Sequence, residues 1–188
     1  KGSVMQIRKT MLATVILTVG TMSMAHAAVK DQGHGKVTFK GTINEAPCSI
    51  SPDTVDQTVD LGMVSNKALA KGGKSKPQNF QLKLESCDLD TLKTVSTTFS
   101  GSKSTGNPNL LGITGSASGA SIAITDGNGD LINLGAASPG RGVQNGDNTM
   151  QFSAYLQGDV KSLEEGSLDP VIVPGEFTSV ADFTLAYQ

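Results

Sequence analysis

Few side chains in this 188-residue sequence are equipped for chemistry. It carries two histidines and two cysteines, His26 in an apolar N-terminal stretch and His34 between Gly33 and Gly35. A zinc centre draws about four ligands from such residues, so the set is too small. A serine hydrolase needs a histidine base in a rigid setting and a Gly-x-Ser-x-Gly elbow; His34 is badly placed and the elbow is missing. Asp53, Asp56 and Asp60 have no recognised glycosidase spacing and are expected to cover a solvated face. Asp126, Asn128 and Asp130 match the opening of a calcium loop, but Leu131 stands where such a loop needs glycine and Ala137 where it needs glutamate, which leaves a tight turn. Gly73-Lys74-Ser75 resembles a phosphate loop whose upstream glycine position is held by Ala68. The expectation is a non-enzymatic protein with no cofactor and no metal.

The positioning elements are short strands. There are 22 glycines, 7 prolines and no tryptophan, a composition that suits strands and turns better than long helices. Residues 1–27 read as a secretion signal: Arg8 and Lys9, an apolar run over residues 11–21, and Ala25-His26-Ala27 at the cleavage point. The run is shorter than the roughly 20 residues that span a bilayer, so the released protein is expected to be soluble. Removing Lys1, Arg8 and Lys9 takes the formal charge from -2 to -5. That acidity, with lysines scattered singly, argues against nucleic acid as a partner. Export also gives Cys48 and Cys87 a role, because disulfides persist in oxidising compartments; a structural bond between them is expected rather than a redox site, which favours Cys-x-x-Cys spacing.

Residues 28–35 look like a flexible arm. Val37, Phe39 and Ile43 then share one parity against Thr38, Lys40 and Thr42, the pattern of a half-buried strand with an odd glycine, Gly41, inside it. Ala46-Pro47-Cys48 breaks the run. A strand is predicted over residues 55–61 on Val55, Val59 and Leu61, and an exposed turn over residues 67–76. Phe80, Leu82 and Leu84 lead to Cys87; Val95, Thr97 and Phe99 continue the alternation before a loop over residues 100–109. Ile122 and Ile124, then the Asp126 turn, then Ile132 and Leu134 form the strongest hairpin signal. After a loop over residues 135–148, Met150, Phe152, Ala154 and Leu156 share a face, with Tyr155 opposite. Residues 161–165 suit a helical turn. Ala181, Phe183, Leu185 and Tyr187 share the last strand face. About seven strands and one disulfide predict an all-β antiparallel sandwich.

Several motifs together resemble the chaperone–usher fimbrial (pilin) subunit family, most closely the major rod subunits of P-type and mannose-resistant fimbriae. They are Gly35-Lys36-Val37-Thr38-Phe39-Lys40-Gly41, Ala46-Pro47-Cys48-Ser49-Ile50, Cys87 about forty residues on, Pro174-Gly175-Glu176-Phe177 and Phe183-Thr184-Leu185-Ala186-Tyr187-Gln188. The resemblance spans the chain after the signal. It implies an incomplete immunoglobulin-like sandwich that is completed by a donor strand in trans, with residues 28–43 as the donor extension and start of the first strand, and 44–188 as the pilin domain. Gly35, Val37, Phe39, Gly41 and Ile43 would form the donor strand, Gly41 resembling the family's donor glycine where two backbones close together. Gly175, Ala181, Phe183, Leu185 and Tyr187 would form the acceptor groove and chaperone-recognition strand. The implied partners are a periplasmic pilus chaperone, an outer-membrane usher, and neighbouring copies of itself and other fimbrial subunits. Export through the periplasm to an extracellular fimbrium on the cell surface is implied as well. The single domain argues against a two-domain tip adhesin. The alternatives are a minor adaptor or terminator subunit, or a secreted carbohydrate-binding sandwich.

Overall fold

A computed structural model describes residues 33–43, 45–91, 93–160 and 170–188. The segments assigned to a signal and to a helical turn at 161–165 lie outside these residues. Residues 1–43 and 44–188 are two separate units.

Eleven strand segments are described: β1 Ser49–Ile50, β2 Gln78–Cys87, β3 Thr94–Gly101, β4 Leu111–Gly112, β5 Thr114–Gly115, β6 Ala120–Asp126, β7 Leu131–Ile132, β8 Arg141–Gly142, β9 Gly146–Gly158, β10 Phe177–Thr178 and β11 Ala181–Tyr187. The larger sheet runs β1-β2-β9-β6-β4, with β7 also paired to β6. Facing it is the sheet β11-β3-β8, and β10 pairs β5 separately. Every pairing is antiparallel.

Alternation makes the core. Leu82 and Leu84 of β2 and Met150, Phe152, Ala154 and Leu156 of β9 are buried on the inner face of the large sheet. Val95, Thr97 and Phe99 of β3 meet them from the opposite sheet. Phe99 packs edge-on to Phe152 at 5.2 Å and to Phe80 at 6.1 Å, which is the offset geometry aromatic quadrupoles favour. The polar Thr97 enters this interior because its backbone N–H bonds Ser138 Oγ and its hydroxyl contacts Met150 Sδ. Ser96, on the opposite parity of β3, is also buried. Tyr155 lies behind the large sheet in a small cluster with Leu110 and Ala123, and the Lys74 ammonium sits 5.2 Å from its ring centre.

The hairpin at Asp126 forms as the sequence predicts, with Ile124 opposite Ile132. The Asp126 carboxylate organises the turn by accepting from the N–H groups of Asn128 and Asp130 at 2.8 and 3.0 Å, and Gly129 supplies a φ of 89°. Cys48 and Cys87 are joined, tying the start of the domain to the end of β2.

Three expectations need correction. The strand predicted over residues 55–61 does not form: Pro52–Val55 is a helical turn, α1, with proline at its start, and Val55 is 52% exposed. Residues 56–64 belong to no sheet, although Leu61 and Val64 pack on the core. The exposed turn predicted at residues 67–76 is a helix, α2 Asn66–Leu69, running into a 3-10 turn, Ala70–Gly72. Its lysines are exposed, but Leu69 is buried and anchors it. Finally, Gly146–Gly158 is one long strand, so β9 starts inside the predicted loop, which also contains β8.

Candidate functional site: an open strand edge and groove

The last strand is where the sandwich stops short. β11 pairs β3 along its whole length, from Ala181 opposite Gly101 to Tyr187 opposite Val95. Its end is held firmly: the Gln188 carbonyl accepts from the N–H groups of Lys93 and Thr94, and the Gln188 N–H donates to Thr94. Among the described residues, no strand pairs with its other edge. A free edge presents a row of backbone donors and acceptors that pairing with another chain can satisfy.

Side-chain burial on β11 alternates as the pattern predicts, yet the inner set is only half-buried. Ala181, Phe183, Leu185 and Tyr187 touch the core and remain partly exposed, while Asp182, Thr184 and Ala186 face outward and are exposed. Among the described residues, the buried Tyr187 hydroxyl has no hydrogen-bond partner. Burial pushes its pKa above the ordinary tyrosine value, since the phenolate is the form that loses hydration.

A groove of about 1330 Å³ opens against β6 and β9 of the large sheet, between the unpaired segment 58–66 and the segments 113–118 and 172–179. Leu61, Val64, Ile113, Ile172 and Phe177 supply its apolar lining. Leu156 of β9 and Ile122 of β6 form its floor. Gly175 lies in one wall against Ser116 and Ala117; an added Cβ would collide with Ser116 Oγ and come within 2.8 Å of the Ala117 nitrogen. Ser179 closes the wall by donating to the Gly112 carbonyl at 2.6 Å, and β11 begins two residues later. The structure thus brings Gly175 into the groove wall. Phe183, Leu185 and Tyr187 do not line this enclosed part and stand instead along the open edge. The walls at 58–66 and 113–118 escape sequence reasoning, which places Leu61 in a strand. Gly62 and the isolated apolar Met63 and Val64 are the available signal.

The arm is a separate unit. Residues 33–43, as described, form no strand, and Val37, Phe39 and Ile43 are 74%, 90% and 101% exposed. The half-buried strand predicted from their alternation is therefore not formed by this chain: the pattern is present and its cover is not. An added Cβ at Gly35 or Gly41 meets nothing within 4 Å, so the close backbone approach expected at Gly41 is not made here either.

A family model described as "Fimbrial protein" matches residues 37–188. The chain is 57% identical to the Fimbria A protein of Serratia marcescens over 98% of its own length and 100% of the relative's. It is 45% identical to the Major MR/P fimbria protein of Proteus mirabilis, covering 93% of this chain and 96% of that one. Among solved structures, the P pilus rod subunit PapA superposes with a TM-score of 0.65 at 29% identity, over 76% of this chain and all of that one. A chain of a chaperone–usher pilus reaches 0.72 at 31% identity, over 86% and 100%. With an immunoglobulin-like sandwich open at one edge and relatives that are structural pilus subunits, this chain belongs to the fimbrial protein family.

Proposed function

We propose that the chain is the major rod subunit of a chaperone–usher fimbria and that it polymerises non-covalently by donor-strand exchange. Residues 28–43 of one copy enter the groove of the next and pair with β11, with Val37, Phe39 and Ile43 turned inward and Gly41 at a close approach of two backbones. Backbone pairing gives continuity and alternate side chains give specificity, as in other strand additions. Each copy donates one strand and accepts one, a heterologous contact that propagates as a fibre.

One observation carries this reading: β11 has a fully patterned but half-covered inner face and an unpaired edge, while the arm of the same chain displays a matching alternation that is almost wholly exposed. Completing the core releases the burial energy that each half lacks alone, about 1.5–3 kcal/mol for each large apolar side chain fully buried, so assembly needs no nucleotide. Before assembly, a periplasmic chaperone would cover the same edge, with Gly175, Ala181, Phe183, Leu185 and Tyr187 as its recognition surface. An outer-membrane usher would host the exchange, and the product would be an extracellular fimbrium. The patterned arm at Val37, Phe39 and Ile43 favours a rod subunit over a terminator, which would lack a usable donor.

The test is to express residues 28–188 with and without a peptide copying residues 28–43, then measure thermal unfolding and monomer yield. Both should rise sharply with the peptide. A stable monomer indifferent to it would instead fit a self-sufficient carbohydrate-binding sandwich. Replacing Phe183 and Leu185 together by Asp should abolish recovery of a chaperone complex.

A further inference from the structure

We propose that the register of the exchanged strand is set on the outer face of the sheet, where Lys40 of the donor stands opposite Asp182 of the acceptor's β11. The inference rests on the donor-strand reading. The arm segment 35–41 and β11 are both seven residues long and alternate in step. Running antiparallel with Thr38 opposite Thr184, Val37 and Phe39 fall opposite Leu185 and Phe183. Gly41 faces Ala181, and Gly35 faces the bulky Tyr187, leaving room for its ring. Lys40 then meets Asp182, which is exposed at the start of the free edge.

The apolar face alone does not secure this alignment. A slip of one residue would turn the lysines inward and is excluded by the pleat. A slip of two keeps every apolar residue inward, but places Thr42 or Thr38 opposite Asp182 and loses the charge pair. The Lys40–Asp182 contact is what separates these otherwise similar alignments.

Gly-Lys-Val-Thr-Phe-Lys-Gly reads nearly alike both ways, and a parallel strand would put Lys36 opposite Asp182; every pairing described in the sandwich is antiparallel, and a donor that continues that rule selects Lys40.

Full-length chains carrying cysteine pairs, assembled into fibres and treated with a short bis-maleimide, test this. Lys40→Cys with Asp182→Cys, and Thr38→Cys with Thr184→Cys, should give ladders of linked multimers on denaturing gels; Lys36→Cys with Asp182→Cys should not. In parallel, Lys40→Asp should speed dissociation of the fibre about two- to fivefold at low salt, the range for an exposed cross-strand charge pair, and Lys40→Asp with Asp182→Lys should restore it. A ladder from the Lys36 pair in place of the Lys40 pair, linkage within one chain only, or no rescue by the double reversal overturns the assignment. If all ladders fail while the arm peptide still stabilises the subunit, the register alone is wrong. If the peptide also does nothing, donor exchange itself falls.

Discussion

β9 and β11 carry nearly the same message in sequence and have different fates in the structure. Both alternate apolar and polar residues, and both place aromatic side chains on the inner face. β9 is paired on both edges, by β2 and β6, and Met150, Phe152, Ala154 and Leu156 are all deeply buried. β11 is paired on one edge, and its inner residues stay half-exposed. Side-chain pattern therefore specifies which face is inner, whereas the neighbour on each edge decides how completely that face is covered. The unfinished part of this molecule is a missing neighbour, with the pattern intact.

The sharpest way to break that contrast is to truncate an inner side chain on each strand. Phe152→Ala should cost about 3–5 kcal/mol in chemical denaturation, as expected for a closed aromatic core site. Phe183→Ala should cost the free subunit about 1 kcal/mol, because half the face is already wet, and the cost should rise toward the Phe152 value once the arm peptide is bound. Equal costs in the free subunit would remove the distinction between the two strands.

A smaller loss is expected from opening the disulfide that ties the start of β1 to the end of β2. Cys48 and Cys87 are 39 residues apart, and replacing both by Ser should lower stability by about 2–4 kcal/mol while leaving the half-exposure of β11 unchanged. Fluorescent labelling of the β11 edge in native protein would check the second part.

Tyr187→Phe sharpens the comparison more finely. The substitution deletes a buried hydroxyl that has no partner among the described residues, so the free subunit should gain up to about 1 kcal/mol or stay level. A loss in the fibre would show that the donor supplies the missing partner. Titration gives an independent reading. The folded phenol ionises above its unfolded value of about 10, so its contribution to stability is complete below that pH and is lost as pH rises through the folded pKa.

The smallest effect belongs to the exposed Asp53–Lys83 contact, 2.7 Å long on the outside of the sandwich. The Lys83 hydrogen bond, with Ser51 assisting, holds the Asp53 carboxyl below its usual value, so its contribution is present above the unfolded carboxylate pKa and fades as pH falls through the lower folded one. Asp53→Asn should leave the melting temperature near neutral pH almost unchanged.

Much of this fold is legible in the residues. Strict alternation at Phe80-x-Leu82-x-Leu84, at 150–156 and at 181–187 survives in the fold because each run has at least one strand to pair with. Val55, Val59 and Leu61 share a parity too, but Pro52 starts a helical turn and no strand takes up the backbone hydrogen bonds of residues 56–64. Parity records which side chains want cover and carries no information about backbone partners. Leu69 is hidden for a different reason: one buried side chain among four lysines leaves little periodic signal, although Ser65 caps its helix by accepting from the Lys67 N–H. The candidate site is half visible, as β11 and Gly175, and half invisible, because a groove wall built from unpaired chain has no period of its own.

The Asp126 hairpin has a practical consequence. Its tip is exposed, its geometry is held by one carboxylate within the turn, and its residues take no part in lining the groove. A short foreign epitope spliced between Asn128 and Gly129 would ride on every copy of the filament, converting the polymer into an ordered display scaffold for antibodies.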